Sequence, residues 1–275
     1  MAHRGGSLLA PENTLEAFRR ALEWWRADVL EVDVQPTADG DVVVFHDATV
    51  DRTTDGSGPV AGLRLEEIRR LDGGFRFTAD GGRSFPFRGR GVRIATLEEL
   101  LRAFPDARVN VEIKDRRAQR RVWETVHDLR ATGRVLIAAG HRANRSLFGD
   151  YPGPTSASGE EMKAFYLHHL THTTRFWRPP VDAFQMPERY GGVQVLTPRF
   201  LREVQARNVA VHVWTVDEEA DMRRLLRLGV DGIVTDRPDR LARVLHEMFG
   251  RPLPPGTPDE ATEGPQLNRE PPANG

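Results

Sequence analysis

The apolar positions of this chain alternate between two periods. Leu15, Phe18, Leu22 and Trp25 recur at helical spacing over Leu15–Arg26, behind a Pro-Glu-Asn-Thr entry. Immediately afterwards "VLEVDVQ" (29–35) has the period-two alternation of a strand, "ADG" (38–40) is a turn signal, and "DVVVFHD" (41–47) reads as a hairpin-like return. The same switch recurs down the chain. "TLEELLRAF" (96–104) predicts a helix capped by Thr96, "ARVNVEIK" (107–114) a strand, Arg117–Arg130 a helix and "VLIAAG" (135–140) a strand. Further helices are predicted near 142–148, 159–170, 197–207, 217–228 and 238–248, with strands near 154–157, 182–185, 209–214 and 231–234. Repeated strand–helix units in one chain of this length predict a parallel sheet, and short, evenly spaced strands favour its closure into an α/β barrel of the TIM (β/α)8 type.

Two segments break the rhythm. Residues 48–93 are rich in Gly, Arg and Thr, with one helical piece near Leu65–Leu71, and read as an insertion after the second strand. Residues 250–275, "GRPLPPGTPDEATEGPQLNREPPANG", carry many prolines and few apolar side chains, so a disordered tail is expected behind a single folded unit over 1–249.

Composition narrows the chemistry. A net charge of -1 gives no overall attraction to nucleic acid or an acidic membrane, and none of the 275 residues is cysteine, which removes disulfides, thiolate metal sites and thiol nucleophiles. No 18-residue apolar run suggests stable membrane insertion, and no leader pattern is visible at the start, so the default expectation is a cytoplasmic protein. The oligomeric state is left open. Lys114 and Lys163 are the only lysines, which draws attention to each.

Glu31 and Asp33 lie two apart on a predicted strand and so share a face; Glu112 and Lys114 repeat that arrangement on a later one. Carboxylates that crowd together in a barrel mouth need a cation, and three hard oxygen donors suit Mg²⁺ or Ca²⁺. The alternative is a structural network with arginines. His3 and His46, near such a centre, have the chemistry of a general acid and a general base. Arg4 and Lys114 have the charge to hold an anionic oxygen, and the glycines beside Arg4 allow close backbone approach. Asn13 either caps the first helix or orients His3 or a metal-bound oxygen. Asp47 either orients His46 or closes a turn. His212 reads as a packed interior residue, and Asp236 as a capping or salt-bridging one. "YLHHLTH" (166–172) sets His169 and His172 three apart on a helix with no evident carboxylate partner, so a solvated or lid-like helix is expected; Met162, Phe165, Tyr166 and Leu170 around it are a weak pointer to an apolar rim.

Four blocks in order, "HRGGSLLAPENT" (3–14), "LEVDVQPTADGDVVVFHD" (30–47), "VEIKD" (111–115), and "VHVWTVD" with "GVDGIVTDRPD" (211–239), resemble the glycerophosphodiester phosphodiesterase family over about residues 1–245. The resemblance implies a TIM barrel that uses a divalent metal to hydrolyse glycerophosphodiesters to glycerol 3-phosphate and an alcohol. It further implies Glu31, Asp33 and Glu112 as metal ligands, His3 and His46 as the acid–base pair, Arg4 and Lys114 on the phosphate, and Trp214 as an aromatic wall of the substrate pocket. A small-molecule glycerophosphodiester is then the expected partner. A lysophospholipase D-like phosphodiesterase and a non-catalytic barrel that binds phosphorylated ligands are the alternatives. One departure is expected to matter: only Met1 and Ala2 precede His3, so the first strand should be truncated, either because the start lies upstream or because a stunted strand leaves an exposed edge.

Overall fold

A computed structural model describes residues 1–257. The strands are β1 (Ala2–His3), β2 (Val29–Pro36), β3 (Val42–Val44), β4 (Arg108–Ile113), β5 (Val135–Ala138), β6 (Ala183–Met186), β7 (Arg189–Tyr190), β8 (Val193–Gln194), β9 (Ala210–Val213) and β10 (Gly232–Ile233). The helices are α1 (Leu15–Glu23), α2 (Leu65–Ile68), α3 (Leu97–Ala103), α4 (Gln119–Asp128), α5 (Gly159–Leu170), α6 (Pro198–Gln205), α7 (Glu219–Leu228) and α8 (Pro238–Phe249).

β1, β2, β4 and β5 pair in parallel, as do β6, β9 and β10. Two narrow seams join these arcs into a closed ring. At one, Thr155 and Ser156 bridge β5 to β6, with Ser156 donating to Ile137 O at 2.9 Å and Ala157 to Ala183 O at 2.8 Å. At the other, Ala2 bridges to Thr235, and the His3 N–H donates to Thr235 O at 2.9 Å. The first strand is indeed short, but the exposed edge expected beside it is not there, because β1 pairs on both sides and Ala2 is buried. The predicted hairpin-like return is real: β3 folds back antiparallel on β2, Val34 opposite Val44.

Alternation on the strands sorts side chains into two layers. Leu30, Val32 and Val34 of β2, Val109, Val111 and Ile113 of β4, and Val135 and Ile137 of β5 point out to Phe18, Leu97, Leu100, Leu101, Val122 and Val126 on the helices. Each fully buried Leu or Ile stabilises the fold by roughly 1.5–3 kcal/mol relative to exposure. A second core does the same for β6, β9 and β10, where Phe184, Val211, Val213 and Ile233 meet Phe165, Phe200, Leu201, Met222, Leu225 and Val244. The inward layer carries Glu31, Asp33, Asn110, Glu112, Gln185 and His212.

Helix ends follow the expected chemistry. Thr14 caps α1 by accepting from Ala17 N, Thr96 and Glu99 form a capping box on α3, and Gly229 and Gly250 end α7 and α8 in the left-handed region. The segment predicted as a helix at 142–148 forms instead a kinked pair of 3₁₀ turns, Arg142–Phe148, with Arg145 outside helical geometry; the Asn144 amide there donates to Lys114 O at 2.8 Å. The strand predicted at 154–157 is reduced to the bridges of Thr155 and Ser156. Between β3 and α3 the inserted segment packs Val50, Val60 and Ile68 against Val43, Phe45 and Ile94.

The folded unit closes with α8 at Phe249, but the chain does not leave at once: Arg251 donates both ends of its guanidinium to Asp28, and Gly256 N donates to Trp24 O at 2.9 Å. The rest of the expected tail lies outside the described residues. No helix among the described residues is long and apolar enough to cross a membrane.

Candidate active site

In a closed parallel barrel, functional side chains sit where strands end and loops begin at the carboxyl-terminal face. That is where the charged residues gather. β1 delivers His3 and, one residue on, Arg4; β2 delivers Glu31 and Asp33; β4 delivers Glu112, with Lys114 just past its end. The register sets Glu31 beside His3 and Asp33 beside Glu112.

Glu31, Asp33 and Glu112 each bring a carboxylate oxygen within 4.8 Å of the others, and among the described residues no other group of three such side chains converges so closely. Glu31 and Asp33 are buried, Glu112 half-buried. Lys114 Nζ lies 2.9 Å from both Asp33 Oδ1 and Glu112 Oε2, and Arg4 Nε lies 3.3 Å from Asp33 Oδ2. The Arg4 N–H donates to Glu31 Oε2 at 3.0 Å.

These placements split the two carboxylates on β2. Burial and the nearby Asp33 charge push Glu31 up to about 8, so in this arrangement it favours the protonated form. Burial also presses Asp33 upwards, but Lys114, Arg4 and His46 outweigh it and hold Asp33 below the ordinary carboxylate range. Glu31 is therefore the carboxylate short of positive charge. A set of hard oxygens with surplus negative charge is a fit for a hard divalent cation.

Both histidines of interest are held from behind. His3 Nδ1 is 2.7 Å from Asp236 Oδ1, and His46 Nδ1 is 2.6 Å from Asp47 Oδ1, so in each ring Nδ1 is the nitrogen held by a carboxylate. His3 Nε2 lies 4.0 Å from Glu31. Burial would drive His3 towards the neutral form, but Asp236 and Glu31 overcome it and its affinity for a proton is raised.

The two glycines after Arg4 have a physical cause. Gly5 and Gly6 have φ of +86° and +94°, and a Cβ on Gly5 would stand 2.7 Å from the Ala17 methyl, one on Gly6 2.9 Å from the Pro238 ring. Only glycine lets the chain turn tightly between α1 and α8 and set Arg4 at the mouth. Asn13 is not the helix cap, which is Thr14; its amide donates to Asp33 Oδ2 at 3.0 Å, so it orients a carboxylate of the cluster. Trp214 follows β9 on the same face, its N–H bonded to Met186 O at 3.2 Å and its ring half exposed, and no hydrogen bond or ring contact joins it to the charged cluster.

Three side chains escaped the reading of the sequence. Asp236 does make a salt bridge, but to His3, 233 residues earlier, and Ser7 Oγ donates to it at 2.6 Å. Its position after the last strand, which neighbours the first in a closed barrel, was the available signal. Glu12 and Arg52 form a bridge to Arg4 and Asp47 that no local pattern announces. His212 lies in the interior as expected, where burial lowers it to about 4 and Gln185 Nε2 approaches its Nδ1 at 3.3 Å. The histidines of α5 differ from expectation: His169 is buried and pairs with Glu203 of α6 at 2.8 Å, and His168 stacks on Trp177, while Leu167 and Leu170 leave the outer face of the helix exposed. Phe165 is likewise buried in the second core and offers no rim.

Known proteins share this plan. The sequence profile of the Glycerophosphoryl diester phosphodiesterase family matches residues 3–240. A glycerophosphodiester phosphodiesterase of Caldanaerobacter subterraneus is 34% identical over 260 residues, covering 90% of this chain and 97% of that protein. One from Bacillus altitudinis is 30% identical over 90% of this chain and 98% of its own. Among solved structures, a glycerophosphodiester phosphodiesterase from Agrobacterium tumefaciens superposes with a TM-score of 0.70 at 27% identity, covering 88% of this chain and 97% of that one. An Oleispira antarctica phosphodiesterase in complex with the product sn-glycerol-3-phosphate shares the fold at 20% identity, with a TM-score of 0.67 over 89% of this chain and 95% of its own.

Proposed function

The chain belongs to the glycerophosphoryl diester phosphodiesterase family, and on that premise we propose that its barrel mouth hydrolyses glycerophosphodiesters to glycerol 3-phosphate and an alcohol. The observation that carries this reading is the meeting of three carboxylates, two cationic side chains and two carboxylate-backed imidazoles on one face. The product held by the Oleispira relative supports the choice of substrate class.

A phosphodiester resists attack because its oxygens are anionic and its alkoxide leaving group is strongly basic. A divalent cation held by Glu31, Asp33 and Glu112, Mg²⁺ or Ca²⁺ by the hardness of the donors, supplies Lewis-acid neutralisation of the phosphate when bound. Arg4 and Lys114 bind and orient the non-bridging oxygens and answer the charge that builds on them. His3 Nε2 takes the proton from the glycerol 2-hydroxyl as its oxygen bonds to phosphorus. As the phosphorus–alkoxide bond breaks, His46 Nε2 gives a proton to the departing alcohol. Water then opens the five-membered cyclic phosphate with the two roles reversed. Asp236 and Glu31 raise the affinity of His3 for a proton, which is the reason for assigning it the base. Asp47 holds the His46 ring for the complementary task, and Trp214 walls the pocket.

A second reading has its own support. Leu8 in the loop after β1, Tyr190 of β7, Val193 of β8 and Trp214 just after β9 are 51%, 66%, 55% and 44% exposed. An apolar rim on the catalytic face suits a lysophospholipid chain, whereas the complete residue set gives no support to a non-catalytic barrel.

The test is a product assay. Glycerophosphocholine, glycerophosphoethanolamine and lysophosphatidylcholine are incubated with Mg²⁺ or Ca²⁺, with and without EDTA. Release of glycerol 3-phosphate from the first two, abolished by EDTA, is expected. Preference for lysophosphatidylcholine would install the second reading, and no turnover of any of the three with either cation would end both.

A further inference from the structure

Arg52 lies in the inserted segment, half exposed, and carries no atom that reaches the carboxylate cluster, yet its guanidinium is fully committed. Nε donates to Asp47 Oδ2 at 2.6 Å, NH1 to Glu12 Oε2 at 2.7 Å and NH2 to Glu12 Oε1 at 2.6 Å, with a longer NH2 contact of 3.3 Å to Asp47 Oδ1. Each carboxylate holds a second partner on the reacting face. Glu12 Oε1 accepts from Arg4 NH1 at 3.0 Å, and Asp47 Oδ1 meets His46 Nδ1 at 2.6 Å.

The result is one continuous chain, Arg4–Glu12–Arg52–Asp47–His46. It crosses the mouth from the loop after β1 to the loop after β3. A single exposed ion pair contributes at most about 1 kcal/mol, so stability alone is a weak reason for this arrangement. Geometry is a better one. A planar guanidinium that bonds two carboxylates edge-on fixes their separation and tilt, which a lysine ammonium, a point charge on a flexible stem, does not do.

We propose that Arg52 is a positioning residue, acting through Glu12 and Asp47 to set the spacing and tilt of His46 relative to Arg4. The inference rests on the reading of the mouth as a phosphodiesterase centre, where His46 must meet a leaving oxygen whose phosphate Arg4 holds. Displacement of one by about an ångström costs on the order of 100-fold in rate.

Arg52→Met is expected to lower kcat about 10- to 100-fold on glycerophosphocholine with KM changed less than about three-fold. Arg52→Lys, which keeps the charge without the fork, recovers the melting temperature but not kcat. Glu12→Gln cuts the same bridge from its other end and stands in for Arg52→Met if that variant does not fold; combined with Arg52→Lys it adds little further loss, as expected of groups acting as one unit. Full kcat in Arg52→Lys, or losses in Arg52→Lys and Glu12→Gln that multiply, would overturn the proposal. An independent readout needs no turnover: with ¹⁵N-labelled histidine, the His46 ring signals shift and broaden in Arg52→Lys while those of His212 stay put, and an unchanged His46 ring would likewise overturn it. Inactive wild-type protein would instead count against the phosphodiesterase reading, leaving the ring signals to decide the role of Arg52.

Discussion

The two arcs of the barrel are built alike and equipped differently. From β1 to β5 the inward positions include His3, Glu31, Asp33 and Glu112, with Lys114 just beyond; from β6 to β10 they include Gln185, His212 and Gly232. Outwards the arcs match, each with aliphatic strand residues packed under helices. The first arc keeps its interior charged by balancing it: Lys114 and Arg4 face the carboxylates at about 3 Å. At the interior histidine of the second arc the charges of the N-terminal ammonium and Asp231 oppose each other, and burial drives His212 neutral, with its proton affinity lowered to about 4. Where burial outweighs nearby charge a histidine stays neutral, and a carboxylate behind the ring works against that. His3 and His46 have one each.

Substitutions can break that contrast. The largest effect is expected from His46→Ala, which should reduce kcat by about 10²–10⁴-fold with the fold retained, checked by steady-state hydrolysis and circular dichroism. Undiminished turnover would remove His46 from the chemistry. Lys114→Met should cost about 10²–10³-fold, because the phosphate loses a fixed charge and Asp33 its buried partner; a loss under ten-fold would show that the charge pairing of the first arc serves structure alone.

His212→Gln sharpens the comparison from the other side. Activity should stay within about three-fold of wild type, while the pH dependence of stability changes. The folded His212 binds its proton less tightly than the unfolded one, so the unfolded state carries more protons between about pH 4 and the ordinary histidine range. Its contribution is present above that range and is lost as pH falls towards 4, at most roughly 3 kcal/mol. Denaturant melts at pH 4.5 and 7 should show a shallower loss in His212→Gln, and equal slopes would mean that this ring is not desolvated. The smallest effect is expected from Arg251→Ala, which frees Asp28 and should lower stability by no more than about 1 kcal/mol, the more weakly so at high salt. A larger loss would make the segment after α8 part of the barrel's foundation.

Much of the site was readable before any coordinates. Two-residue spacing on "VLEVDVQ" and "ARVNVEIK" placed Glu31 with Asp33 and Glu112 with Lys114, because a strand repeats every second residue and no tertiary contact alters that. Most helix bounds agree to within one to three residues, since periodicity and capping are local. The places that went astray depend on distant partners. The 142–148 segment has helical composition, but Asn144 and Arg145 are drawn away, the first to Lys114 O and the second to Glu161. His169 looked unpartnered because Glu203 sits on the next helix.

By itself, then, the chain's pattern determined the alternation of strands and helices, the faces on which its acidic residues lie and the glycine turn that follows Arg4. Those are properties of neighbours along the backbone, fixed by the periods of strand and helix and by the conformations each residue tolerates. Tertiary structure alone decided that a two-residue strand is enough, since Thr235 completes its pairing from the far end of the described chain. It also decided that Asp236 backs His3 and that Arg52 spans Glu12 and Asp47. Ring closure juxtaposes segments more than 200 residues apart, and the strength of an ion pair or hydrogen bond depends on distance in space, which no spacing along a sequence encodes.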